Sequence, residues 1–157
     1  MKKLLLALFA VAMTALNVNA QTSVESPHSD LSVKVMSCSY TSGTVVIDML
    51  LTNLGEDMEF DTRGSGVIAY DDQGNAYNSK SSKVLVGIAN QSLKISAKYL
   101  LPQDVPVKFR IQLDNVSADA SKFSIFKFAP HYSSYDHNHM EINKDSYIVF
   151  RNLTWSE

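Results

Sequence analysis

Any chemistry in this chain has to come from a few clusters of side chains. The densest is His131, Tyr132, Tyr135, Asp136, His137 and His139. If extended, His137 and His139 share a face, because side chains alternate along a strand. With His131 they offer the nitrogen donors of a Zn²⁺ or Cu²⁺ site. The plainer reading is a long exposed loop between 130 and 143, since connections inside a compact domain usually run about 4–6 residues. Tyrosine and histidine are large, amphipathic and easily ordered, which suits contact with a protein or a glycan. Tyr132, Tyr135, His137 and His139 are therefore the candidate ligand-binding residues. His131, His137 and His139 form the alternative, metal-binding set.

Carboxylates supply two further clusters. Asp57, Glu59 and Asp61 would line one face of an extended segment, with Met58 and Phe60 on the other. Three carboxylates on one face would suit Ca²⁺. The same pattern also describes an edge strand charged against sheet-to-sheet pairing, and that reading is preferred. Asp71-Asp72-Gln73-Gly74-Asn75 sets oxygen donors around a glycine but lacks the spacing and terminal glutamate of an EF-hand loop. A type I′ hairpin turn is the simpler expectation.

No catalytic set emerges. Gly-x-Ser-x-Gly, His-Glu-x-x-His and Gly-x-Gly-x-x-Gly are absent from the sequence. Ser124 and Lys127 make one Ser-x-x-Lys, a pairing that needs a helix to bring its members together. The single cysteine, Cys38, cannot form an internal disulfide and reads as a small core residue. The sequence therefore assigns no catalytic residue and no cofactor.

The elements that position these groups are strands. Leu31, Val33 and Val35 alternate with polar residues, and the apolar parity then shifts to Met36, Cys38 and Tyr40, which predicts a bulge near Ser37. Val45, Ile47, Met49 and Leu51 line one face of 44–53, and Val46 and Leu50 make its other face partly apolar, as in a central strand. Further strands are expected at 66–71, 76–79, 83–89, 93–101, 105–113, 122–129 and 146–155. In 105–113, Val105, Val107, Phe109, Ile111 and Leu113 face in. No window after the N-terminus sustains an amphipathic helix. About 8–9 short antiparallel strands with frequent turns predict an all-β immunoglobulin-like sandwich over 31–157, preceded by a flexible leader over 21–30.

The N-terminus predicts the compartment. Lys2 and Lys3, the apolar run 4–16 and the small-residue site Val18-Asn19-Ala20 form an export signal, with cleavage after Ala20. The run is too short to span a bilayer, which needs about 20 residues. Cys38 lies too far downstream to carry a lipid anchor. The expected location is the periplasm or outside the cell. Removing residues 1–20 from the 157 leaves 137, the size of one domain, and takes Lys2 and Lys3 away, so 12 basic residues face 16 acidic ones and the formal charge becomes −4. That balance argues against nucleic acid and anionic membranes as partners.

Val45 to Asn53 followed by Gly55 resembles the "apolar strand, Thr-Asn, Gly" opening of telokin-like immunoglobulin-fold domains of secreted bacterial proteins. Ile68, Tyr70, Asp71-Asp72, Gly74-Asn75 and Tyr77 are similar to that family's second hairpin. Val105-Pro106-Val107 with Phe109 is similar to the strand after its Pro-containing turn. The likeness spans residues 31–113. It departs after Leu113, where an extra polar stretch over 129–145 intervenes. The resemblance implies an immunoglobulin fold and an exported binding or interaction module, with no catalytic residues to carry over. The function expected is a non-catalytic module contacting a protein or glycan of the cell envelope.

Overall fold

The computed structural model describes residues 21–134 and 147–156, and its strands meet in antiparallel pairs. The strands are β1 (Ser23–Glu25), β2 (Leu31–Thr41), β3 (Thr44–Asn53), β4 (Met58–Arg63), β5 (Val67–Asp71), β6 (Ala76–Asn78), β7 (Val84–Ile88), β8 (Ser96–Leu101), β9 (Val107–Leu113), β10 (Lys122–Phe128), β11 (His131–Ser134) and β12 (Ile148–Thr154). One 3₁₀ turn at Gly64–Gly66 joins β4 to β5. The expected all-β class holds among the described residues, where no helix is long and apolar enough to cross a membrane. The predicted signal over 1–20 lies outside them.

Three sheets form. Five strands run in the order β1-β12-β10-β5-β6, four in the order β2-β3-β9-β7, and three in the order β11-β4-β8. The period-two alternation of β3 buries Val45, Ile47, Met49 and Leu51 completely, as its central place between β2 and β9 requires. The expected bulge lies between Val35 and Ser37; it pushes Met36 into solvent and returns Cys38 to the core face. One apolar core joins the sheets. Phe109 of β9 packs edge-on to Phe60 of β4 and Tyr99 of β8, and stacks on Phe128 of β10 at 5.9 Å. Phe123 of β10 meets Tyr77 of β6 and Trp155, which in turn stacks on Tyr40 of β2.

Asn53 shows why a Thr-Asn-x-Gly sequence ends β3. Its side chain is fully buried, so its polar atoms must find partners. The amide donates to the Glu56 and Leu101 carbonyls at 2.6 and 3.1 Å, and its oxygen accepts the Gly55 N–H at 3.0 Å. The turn over 54–57 is thereby tied to the end of β8.

Five expectations are corrected. Residues 21–30 are not a free leader, because Ser23–Glu25 pairs with β12 and the Thr22 hydroxyl donates to the Asn152 carbonyl at 2.9 Å. The strand expected from Val105 begins at Val107; Val105 is exposed beyond Pro106, which lacks the N–H a ladder needs. The acidic strand is no edge: β4 lies between β8 and β11. The polar stretch after residue 129 is not loop throughout, since His131–Ser134 pairs with β4. The β5–β6 connection is not type I′, which needs positive φ at both central residues. Only Gly74 has it there, at 87°, and the Gly74 N–H reaches the Asp71 carbonyl, as in a type I turn followed by a glycine bulge.

Candidate functional site

Alternation on a sheet buries every second side chain and presents the others. In β5, Val67, Ala69 and Asp71 point inward, while Ile68 and Tyr70 stand 36% and 47% exposed. In β10, Phe126 and Phe128 are buried, and Ile125 and Lys127 take the outer positions. In β12, Ile148 and Phe150 face in, and Val149 and Arg151 face out. The register aligns these outer residues in two rows. Tyr70 lies opposite Ile125, which lies opposite Arg151; Ile68 lies opposite Lys127, which lies opposite Val149.

The outer face of the five-stranded sheet therefore sets Ile68, Tyr70, Ile125 and Val149 around Lys127, with Arg151 at the end of the Tyr70 row. Arg151 is neutralised by Glu25 of β1 at 2.9 Å. Lys127 sits over the Tyr147 ring at 5.7 Å, a cation–π contact that leaves its charge in place. Lys122, opposite Thr154 at the end of the same face, has no carboxylate partner among the described residues. Sequence reasoning missed this surface, although the chain carries its signal. Val67-Ile68-Ala69-Tyr70 is apolar at both parities, and an extended segment of that kind puts apolar side chains on both faces of its sheet.

The residues singled out from the sequence are placed differently. His131 and Tyr132 belong to β11, in register with Asp61 and Phe60 of β4. Tyr135, His137 and His139, which complete the candidate ligand and metal sets, lie outside the described residues. Among the described residues no group of three or more His, Cys, Asp or Glu side chains is placed to hold a metal ion. The acidic cluster is taken up internally. Glu59 pairs with Lys98 of β8 at 2.6 Å, Asp61 with Arg63 at 3.2 Å, and Asp57 accepts the Gln103 N–H at 2.7 Å.

Asp71 is a buried hub rather than a ligand site. Its carboxylate accepts the Gln73 and Asn75 N–H groups at 2.9 and 2.8 Å, the Asn75 side-chain amide at 2.8 Å and the Tyr77 hydroxyl at 2.7 Å. Burial pushes its pKa up, but these donors outweigh burial and hold it below the ordinary carboxylate range. The Tyr77 oxygen also accepts the Ser117 N–H at 3.1 Å, and Asp72 holds Ser121 by side chain and backbone. Ser124 and Lys127 share a strand, and the Ser124 hydroxyl is used on the Asp71 carbonyl. Cys38 is buried, and desolvation lifts its thiol to about 12, so it stays protonated and unreactive at neutral pH.

No protein-family model, no curated protein and no solved structure matches this chain.

Proposed function

We propose that this chain is an exported, non-catalytic interaction module of the cell envelope, built as an immunoglobulin-like sandwich and contacting a protein or glycan. The observation that carries the reading is the outer face of the five-stranded sheet, where Ile68 and Tyr70 are held in solvent by a rigid scaffold. A sheet packed on a core normally turns polar residues outward on its other side. Large apolar side chains kept there in register weaken solubility and are characteristic of contact surfaces. The sandwich form is supported by the Phe109–Phe128 stack, which links the four-stranded and five-stranded sheets through one core. Export is supported by the charge and hydropathy pattern of residues 1–20.

Photocrosslinking tests the reading. The full-length chain is expressed with p-benzoylphenylalanine in place of Tyr70 or, separately, of Lys108, which lies exposed on the four-stranded sheet. Irradiation of intact cells is expected to give a discrete envelope adduct from position 70 and none from position 108. Identical adduct patterns from both positions, or none from either, overturn the proposal.

A further inference from the structure

We infer that Met36 is a reversible oxidation site, where a peroxide takes a thioether of this chain to its sulfoxide without cost to the fold. The site lies on the four-stranded sheet and is independent of the contact surface proposed above. β2 is an edge strand of that sheet. At its bulge Val35 pairs with Met49 and Ser37 with Asp48, so Met36 is the extra residue and has no partner across the ladder. No β3 side chain stands opposite to cover it, and Met36 is 51% exposed. On the open side of β2, Ser156 bonds to Cys38 and Tyr40, past the bulge.

The other sulfur atoms of the described residues are shut away. Met49 and Met58 belong to the core, and so does Cys38. A thiol is attacked as its thiolate. Burial lifts the Cys38 thiol to about 12, so almost none is ionised at neutral pH. A thioether has no proton to lose, and its reactivity follows access. The sulfur lone pair of Met36 attacks one peroxide oxygen. The O–O bond breaks, an S–O bond forms, and the departing hydroxide takes up a proton as water. Sulfur gives two electrons and the peroxide receives them. A reductase with a dithiol donor reverses the step, leaving the thioether, a disulfide and water. In the core the new oxygen would be buried among apolar side chains with no partner. At Met36 it meets water, so both redox states keep the same packing.

The test exposes the folded full chain to limiting hydrogen peroxide and reads each methionine by peptide mapping. Sulfoxide is expected at Met36 at least about tenfold faster than at Met49 or Met58, whose access requires the fold to open. In urea beyond the unfolding midpoint the three rates should converge. The Met36 rate should stay flat between about pH 6 and pH 8, where a thiolate-driven rate would climb. Circular dichroism melts of the oxidised and untreated chains should coincide. Sulfoxide reductases for both epimers, with dithiothreitol, should restore Met36 while the chain stays folded. Met36→Leu should melt as wild type does and leave Met49, Met58 and Cys38 unoxidised at the same dose. Oxygen reaching Met49, Met58 or Cys38 before Met36 overturns the inference. So does a lower melting temperature after oxidation at Met36, which would make that side chain part of the packing. A sulfoxide that the reductases reach only in denaturant overturns the reversibility. Should Met36→Leu fail to fold, the wild-type map and melts still decide the order of attack and its cost.

Discussion

Tyr77 is the smallest unit at which this fold is held together. Its hydroxyl donates to the buried Asp71 carboxylate and accepts the Ser117 N–H, so one oxygen joins the β5–β6 hairpin to a loop forty residues away in sequence. Tyr77→Phe removes both bonds without opening a cavity and leaves a buried carboxylate one donor short. The expected cost is about 1–3 kcal/mol, measured as a shift in urea midpoint at constant slope. The same hub makes stability depend on pH. Asp71, Asp72 and Asp48 are all held below the ordinary carboxylate range; in Asp48 the leading cause is the Arg110 guanidinium, which grips both oxygens at 2.6 and 2.7 Å. A depressed folded-state pKa contributes stability above the unfolded value and loses it as pH falls through the folded one. Stability should therefore be flat through neutrality and fall below about pH 4. Asp71→Asn should be less stable at pH 7 and show a smaller drop between about pH 4 and pH 2.5. An undiminished drop would place the acid sensitivity elsewhere. The hairpin was legible in the sequence because Gly74 and its polar neighbours announce a turn. The partnership of Tyr77 with Ser117 was not, because nothing local to either residue reports it.

At the scale of elements, legibility follows whether a strand's own alternation reports its faces. β9 and β3 each carry one strongly apolar face, and their alternation alone is enough to place Phe109, Ile111, Val45 and Ile47 in the core. Phe109 touches rings from three other strands, so Phe109→Ala should cost roughly 3–5 kcal/mol by loss of transfer energy and by the cavity left behind. Lys108→Ala, one residue away and exposed, should cost under about 0.5 kcal/mol. Equal costs in a guanidinium titration would mean that the faces are misassigned. β4 misled for a physical reason. Its outer face reads as a charged edge, yet Lys98 across on β8 neutralises Glu59, and β11 covers the other side. β11 itself, His-Tyr-Ser-Ser, has no alternation to betray it; its ladder is imposed by β4. The bulge at Met36 was legible because the apolar parity can change within one continuous strand only if an extra residue enters the ladder.

At the scale of the molecule, the proposed export and the fold would meet on β1. Cleavage after Ala20 would leave Gln21 and Thr22 ahead of Ser23, the first residue of the edge strand. Everything that strand contributes would survive processing: the Thr22 bond to Asn152, three residues of register with β12, and the Arg151–Glu25 pair. A cut a few residues later would strip the edge of the sheet whose outer face carries the proposed contact. Cleavage after Ala20, if the proposed export signal is processed there, would leave the whole of β1 within the mature chain. Mass spectrometry of the exported protein is expected to find Gln21, free or cyclised, at the N-terminus; retention of residues 4–16 would end the export reading. A chain beginning at Gln21 should unfold as the processed protein does. One beginning at Pro27 loses the β1 ladder, and its denaturation midpoint should drop by the equivalent of about 1–2 kcal/mol. If the two are equally stable, β1 is a passive attachment and the leader expected from the sequence is the better description of residues 21–30.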